Sequence, residues 1–189
     1  MPRSTLLLIV LALSITSCVS VADLPKPANV YGPIPQGTRL VAIRVAPIKP
    51  DRLKNVGGLS DPGQFLGRYF KDALALKQPD WKVRILDGPP AATKSDIVIS
   101  AEILGINGGN AGLRFWIGFS AGAAESTVLV SVSDKSGKEL AQATIMERTM
   151  CPIGACVDSN DDIIQRTLLE LAKEMAAFVA NPAEYKKEK

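Results

Sequence analysis

Alternating apolar and polar positions recur along the chain and predict β-strands. In "RLVAIRVAPI", residues 39–48, every second side chain from Val41 to Val45 is a branched apolar one. "WKVRIL" shows the same alternation, and "DIVISAEILGI" carries apolar residues on both faces, which favours a central position in a sheet. "TVLVSVSD" and "KELAQATIMERT" flank the turn sequence "KSG", so together they predict a hairpin.

Two other segments have helical periodicity. The first lies in "DPGQFLGRYFKDALALK", where Asp61 can cap the helix and Pro62 suits its first position. The second follows Ser159, which can cap a helix whose first turn contains Asp161 and Asp162. The predicted buried stripe of this second helix consists of Ile164, Leu168, Leu171, Met175 and Phe178. The order of strands and helices predicts an α+β fold, a two-layer sandwich of a mostly antiparallel or mixed sheet with two main helices.

A short apolar segment precedes these elements. Arg3 is followed by the apolar run Leu6–Ile15, which is typical of a secretory signal. A transmembrane helix needs about 20 apolar residues, so this run is too short to span a bilayer. The run ends in "ITSC", which resembles the lipobox of bacterial lipoproteins. The resemblance implies that Cys18 takes a diacylglycerol on its sulfur, becomes the mature N-terminus and is then N-acylated with a fatty acid such as palmitate. The alternative is an ordinary signal peptide with an incidental cysteine.

The residue after Cys18 bears on the choice of membrane. An aspartate there would resemble an inner-membrane retention signal, and this chain has Val19 instead. We therefore expect an outer-membrane lipoprotein that faces the periplasm, with the inner membrane as the alternative. The predicted organisation is a lipoprotein signal peptide at 1–17, a lipid anchor and proline-rich tether at 18–38, one periplasmic domain at 39–182 and a charged tail at 183–189.

The charge and the cysteine content limit which partners, metal sites and disulfides we expect. The net charge is +3, of which Arg3 belongs to the signal, and there is no basic block, so nucleic acid is not an expected partner. With Cys18 lipidated, Cys151 and Cys156 remain in "CPIGAC", and in an oxidising compartment they favour a disulfide. A reduced pair or a metal half-site is the alternative, but the chain has no histidine and no other cysteine. We predict no metal and no cofactor.

One motif invites a catalytic interpretation. "GFSAG", Gly118 to Gly122, matches the G-x-S-x-G nucleophile elbow of serine hydrolases. That chemistry uses a histidine to take the serine proton, and this chain contains none. The carboxylates at the start of the second helix are explained by capping. We therefore expect Ser120 to be no nucleophile and the protein to be no enzyme.

The glycine-rich centre of the chain allows three interpretations. It is a structural bulged hairpin, a surface for self-association or for a partner, or a hairpin that inserts into a membrane. The candidate interaction surface consists of Arg114, Phe115, Trp116 and Phe119. An exposed apolar patch would favour the second interpretation, and the irregular strand pattern disfavours the third.

The same region carries a family resemblance. An apolar strand, a glycine turn, Arg114, the stretch Gly118 to Gly122, an alternating strand and a "D-x-x-[ST]-G" turn follow one another. This layout, over roughly residues 40–150, resembles an uncharacterised family of bacterial envelope lipoproteins with a central "GFGAG"-like motif, where Ser120 replaces a common glycine. The family has no established activity to carry over. The layout is more distantly similar to α/β domains of lipoproteins that activate cell-wall synthases or build secretion complexes.

These observations predict a lipid-anchored periplasmic protein-interaction or structural domain without catalytic activity. The alternative is a subunit of an oligomeric envelope assembly for export or transport. The expected partners are the membrane, through the lipid on Cys18, and either another envelope protein or further copies of the chain.

Overall fold

The computed structural model describes residues 28–86, 94–116, 122–149 and 159–185, with the backbone alone at 114–116. The strands are β1 (Asn29–Val30), β2 (Leu40–Val45), β3 (Leu53–Lys54), β4 (Lys82–Ile85), β5 (Ile97–Asn107), β6 (Ala124–Asp134) and β7 (Glu139–Thr149). The helices are α1 (Pro62–Lys77), α2 (Ala111–Trp116) and α3 (Asn160–Ala180), and a 3₁₀ turn spans Pro50–Arg52.

The strands form one mixed sheet in the order β1-β7-β6-β5-β2-β4, and β3 pairs with the end of β5. β5, β6 and β7 are antiparallel neighbours, whereas β2 runs parallel to both β5 and β4. α1 carries the chain from β2 back to the start of β4, as the parallel pairing of these two strands requires. The predicted α+β fold, the hairpin and the central position of "DIVISAEILGI" are confirmed.

Both long helices begin at their predicted caps. The carboxylate of Asp61 accepts a hydrogen bond from the backbone N–H of Gln64 at 2.9 Å, and the hydroxyl of Ser159 accepts one from Asp162 at 3.2 Å. Side-chain caps of this kind satisfy N–H groups that the first helical turn leaves without partners. The two helices pack against each other and against the same face of the sheet, because their apolar stripes need a common core.

The opposite face of the sheet is covered by no helix among the described residues. Along β5 and β6 the side chains alternate between buried and half-buried, so one face enters the core and the other faces outward. The outward-facing, half-buried residues of the three central strands include Val98, Ser100, Glu102, Glu125, Thr127, Leu129, Ser131, Gln142, Thr144 and Met146. We call this surface the uncovered face.

Residues on either side of the predicted domain, 39–182, also pack against it. In the segment assigned to the tether, β1 pairs with β7, and the N–H of Tyr31 donates to the carbonyl of Leu140 at 2.7 Å. After α3, the hydroxyl of Tyr185 donates to Glu174 at 3.1 Å, and its ring contacts Phe178 edge-on. Burial and the neighbouring Glu174 carboxylate raise the pKa of Tyr185. Residues on both sides of 39–182 therefore lie against the core.

Asp96 fixes the register at the start of the parallel pair. Its carboxylate accepts the backbone N–H groups of Arg39 and Leu40 at 2.8 and 2.9 Å, just where β2 begins beside β5. These bonds favour the ionised form, so they lower the pKa of Asp96 below its ordinary value.

One buried hydroxyl on the helix-covered face has no partner. Ser126 is 1% exposed, and its Oγ makes no hydrogen bond to any residue in the described ranges. A buried polar group without a partner costs about 1–3 kcal/mol. We expect Ser126→Ala to raise the free energy of unfolding in urea by about 1 kcal/mol. Ser131→Ala on the uncovered face is the matched control and should stay within about 0.5 kcal/mol. A clear loss of stability in Ser126→Ala would show that the hydroxyl has a partner in solution.

Candidate functional site

Residues 108–123 connect the end of β5 to the start of β6, at one end of the sheet. The backbone N–H of Asn110 donates to the carbonyl of Gly122 at 3.1 Å, which closes the connection at its base. Gly109 and Gly122 adopt positive φ angles of 72° and 73°, a region that glycine enters without a side-chain penalty. We call residues 108–123 the β5–β6 connection.

The β5–β6 connection contains a helix that the sequence did not predict. The bulged-hairpin interpretation is wrong for residues 111–116, because these form α2. The side chain of Asn110 accepts the N–H of Leu113 at 3.1 Å and thereby caps this short helix. Glycines on both sides let the chain turn out of β5 and back into β6, so a helical turn fits where strand pairing was expected.

A cleft of about 350 Å³ lies at the base of the connection. Its lining comes from four parts of the chain and is mostly polar. The lining residues are Asn55, Asn107, Gly109, Asn110, Gly122, Ala123, Glu125 and Arg148. We call it the polar cleft.

Two asparagines form one wall of the polar cleft. Asn55 follows β3 and has a positive φ of 51°, which asparagine tolerates better than most residues. Its amide N–H donates to Oδ1 of Asn107 at 3.3 Å, and the same oxygen accepts the N–H of Gly109 at 3.0 Å. Asn107 therefore joins the end of β5, the loop after β3 and the start of the connection.

An ion pair forms the opposite wall. Glu125 and Arg148 are register partners across β6 and β7 and lie on the uncovered face. Nη2 and Nε of Arg148 both donate to Oε2 of Glu125, at 2.6 and 3.2 Å. The side chain of Arg148 is 43% exposed and that of Glu125 is 32% exposed. An ion pair this accessible to water adds little stability, so its main effect is to orient the guanidinium and the carboxylate.

The first residues of α3 hydrogen-bond to the loop that carries Asn55. The amide of Asn160 donates to the carbonyl of Asn55 at 3.2 Å. The carboxylate of the next residue, Asp161, accepts the N–H of Gly58 at 2.9 Å. The loop that carries Asn55 is thus hydrogen-bonded to the start of α3 as well as to β5.

Two smaller depressions continue from the cleft along the uncovered face. The first, of about 280 Å³, shares Asn107 and Glu125 with the cleft and extends to Arg52 and Thr127. The second, of about 210 Å³, is lined by Arg44, Ser100, Glu102, Leu129 and Ser131, among others. Arg52 of the first donates to Glu102 of the second at 2.8 Å, so the two depressions adjoin.

The arrangement is suited to hydrogen bonding. In the described ranges no group of three or more carboxylate, thiol or imidazole side chains could hold a metal ion. The carboxylate nearest the cleft, Glu125, is paired with Arg148, and the chain has no histidine that could serve as a base. No helix within the described residues is both long enough and apolar enough to span a membrane.

The structure brings part of the predicted site next to the cleft. Arg114, Phe115 and Trp116 lie in α2, which begins immediately after the cleft residue Asn110. Phe119 and Ser120 lie outside the described residues, as do the lipidation site Cys18 and the predicted disulfide between Cys151 and Cys156. These predictions stay predictions.

Sequence reasoning missed the cleft residues themselves. Asn55 and Asn107 are 52 positions apart, and Glu125 and Arg148 are 23 apart, so no short motif contains either pair. The available signals were the "NGGN" turn at 107–110 and the two charges that a correctly registered hairpin places opposite each other.

The chain is similar to solved structures from other bacteria and matches the model of one protein family. A variant of the PelC dodecamer from Paraburkholderia phytofirmans is 14% identical over 80% of this chain and 98% of that chain, with a TM-score of 0.47. A Xanthomonas campestris protein of family DUF330 is 10% identical over 82% of this chain and 94% of that chain, with a TM-score of 0.45. A search of curated proteins finds no match. The model of one protein family matches residues 43–151, which confirms that the chain belongs to an uncharacterised family, while the predicted central "GFGAG"-like motif stays a prediction. The chain therefore belongs to the family described as Domain of unknown function (DUF4410).

Proposed function

We propose that the protein is a lipid-anchored, non-enzymatic domain of the bacterial envelope that binds another envelope protein through the β5–β6 connection. The anchor is Cys18, at the end of an apolar run too short to span a bilayer. Several acyl chains on one residue give the stable attachment that a single chain does not. The outer membrane, facing the periplasm, is the proposed location.

The observation that carries the proposal is an apolar side chain exposed on the connection. Leu113 is 43% exposed in α2, although the base of the connection is tied by the Asn110–Gly122 hydrogen bond. Between residues 111 and 124 the sequence holds one charged side chain, Arg114. Connections between strands usually run over the surface and carry polar residues. An apolar connection at the end of a sheet supports a protein-docking role, since aromatic and apolar anchors dominate such interfaces.

Site-specific photo-crosslinking in cells tests this role. A photoreactive amino acid replaces Leu113 in the full chain, and the matched control replaces Leu169, which is 36% exposed on the outer surface of α3. We expect a discrete adduct with one envelope protein, identified by mass spectrometry, at position 113 and none at 169. An adduct between two copies of this chain would replace the proposal with the oligomeric alternative. Equal labelling at both positions, or none, would contradict a docking surface on the connection.

The anchor has its own test. Cys18→Ser should abolish incorporation of a fatty-acid analogue, because only the thiol can accept the diacylglycerol. It should also release the protein from the membrane fraction and remove the adduct at position 113 if the partner is membrane-bound. Incorporation that persists in Cys18→Ser would refute lipidation at this residue.

A further inference from the structure

We propose that the polar cleft and the two depressions that continue from it bind a neutral, hydroxyl-bearing chain, that is, a carbohydrate. This inference goes beyond the protein-docking role proposed for the β5–β6 connection: the cleft uses the base of the connection, at Gly109, Asn110, Gly122 and Ala123, and its lining does not include Leu113. It rests on three properties of the lining: available hydrogen-bond groups, balanced charge and a continuous track along the uncovered face.

The cleft offers both donors and acceptors that are not used within the protein. In the part of the chain that the structure describes, Asn107 and Asn110 use their Oδ1 atoms as acceptors, and their amide N–H groups have no partner. Asn55 donates through its amide, so its Oδ1 is available, and Glu125 engages Arg148 only through Oε2. A sugar hydroxyl donates and accepts at the same atom, and this mixed set of fixed amide and carboxylate groups matches that property.

The charge of the track disfavours an ionic ligand. The four cationic side chains are Arg44, Arg52, Lys54 and Arg148, and the three anionic ones are Asp51, Glu102 and Glu125. Two of the arginines are already paired, Arg52 with Glu102 and Arg148 with Glu125. A polyanion would have to displace these carboxylates, so the near balance of charge favours a neutral ligand.

The track is also long enough for a chain of several sugar units. It follows β6 from Ala123 in the cleft to Ser131 in the last depression. At about 3.3 Å per residue, this stretch is roughly 26 Å long. Thr127 and Ser131 add hydroxyl groups along it, and these can donate as well as accept.

An extended peptide fits the track less well. Peptides that bind to sheets usually add a strand to a free edge through main-chain hydrogen bonds. Here β5 is paired on both sides, with β6 and β2, and β6 is paired with β5 and β7. Recognition over these strands must therefore come from side chains, which are the amides, hydroxyls and ion pairs described above.

Nuclear magnetic resonance titration of the full chain carrying Cys18→Ser tests the inference. The probe is the hexamer of N-acetylglucosamine, a neutral sugar chain, and the comparator is inorganic polyphosphate. We expect saturable shifts of the side-chain amide signals of Asn107 and Asn110 with the hexamer. The internal control is the amide of Asn181, which donates to Glu184 at 2.6 Å beyond the end of α3 and should not move.

A blocking variant makes the assignment specific. Ala123→Leu fills the cleft and should weaken binding of the hexamer at least about fivefold, roughly the factor that 1 kcal/mol produces. Thr127→Val keeps the side-chain shape and removes one hydroxyl of the track, so it should weaken binding of the hexamer less than Ala123→Leu does. This second variant keeps the inference testable if Ala123→Leu does not fold. Absence of shifts at millimolar hexamer, shifts that spread over the whole surface, or shifts of the same amides with polyphosphate would each overturn the inference. These results do not depend on crosslinking at Leu113, so the two proposals fail separately.

Discussion

Gly109→Ala should destabilise the protein by more than about 2 kcal/mol and disrupt the polar cleft. Gly109 has a φ of 72°, and an L-residue in that region costs about 1–2 kcal/mol. A Cβ at this position would also overlap the backbone carbonyls of Gly122 and Ala123, which close the base of the β5–β6 connection. Backbone atoms cannot move aside as a flexible side chain can, so the connection must rearrange. Urea unfolding measures the loss of stability, and the backbone amide signals of residues 107–110 and 122–125 report the rearrangement.

Gly105→Ala is the matched control for this prediction. Gly105 lies in β5, near the place where the pairing with β6 shifts register, and apart from Gly105 itself and its two chain neighbours no heavy atom lies within 4 Å of the position that its Cβ would take. Its stability should change by no more than about 0.5 kcal/mol. Equal losses in the two variants would mean that the connection has no special backbone requirement. An unchanged Gly109→Ala would show that the connection has a different conformation in solution.

Phe70→Ala should cost about 3–5 kcal/mol of unfolding free energy. Phe70 lies on the inner face of α1, is fully buried and belongs to the core that α1, α3 and the sheet share. Its removal deletes an aromatic side chain and leaves a cavity that the packed neighbours cannot fill completely. Because domains are stable by only about 5–15 kcal/mol, much of the total stability should be lost. Urea denaturation at constant temperature gives the value.

Phe65→Ala on the same helix is the control for the cavity effect. Phe65 is half-buried, lies 6.1 Å from the ring of Tyr69 and is covered by the guanidinium of Arg68 at 4.9 Å. Its loss removes less buried area and creates no closed cavity, so we expect about 1–2 kcal/mol. If Phe65→Ala cost as much as Phe70→Ala, the assignment of the inner face of α1 would be wrong.

The helix prediction succeeded where the determining contacts are local. Asp61 and Ser159 each bond to an N–H three residues ahead, so the cap and the helix it starts are visible together in a short window. The stripe from Ile164 to Phe178 is fully buried for the same reason, since its period is that of the helix itself. The hairpin was readable because the turn between β6 and β7 is short and the flanking strands alternate.

The structure of the glycine-rich centre could not be predicted from neighbouring residues alone. The sequence of this segment was compatible with a structural bulged hairpin, a surface for self-association or a partner, or a membrane-inserting hairpin, and a helix was not among the predicted structures. The formation of α2 depends on the side-chain cap from Asn110 and on the hydrogen bond from the backbone N–H of Asn110 to the carbonyl of Gly122. Gly122 lies close enough to Asn110 for this bond only when β5 and β6 are already paired. Likewise, the four prolines of residues 18–38 predict a tether, and the pairing of Asn29 and Val30 in this segment with the edge strand β7 could not be read from the local sequence.

By itself, the sequence determined the fold class, both helix starts and the hairpin, because each depends on neighbours within a few residues or on a periodic pattern. The anchor at Cys18 stays a prediction. Only the tertiary structure decided the sheet order and the polar cleft. β2 enters between β5 and β4 through parallel pairing across long separations, and the cleft needs Asn55 beside Asn107 and Glu125 beside Arg148. The physical reason is that strand register and loop attachment are set by the whole core at once. A one-residue shift of β6 or β7 would move Glu125 or Arg148 to the other face of the sheet.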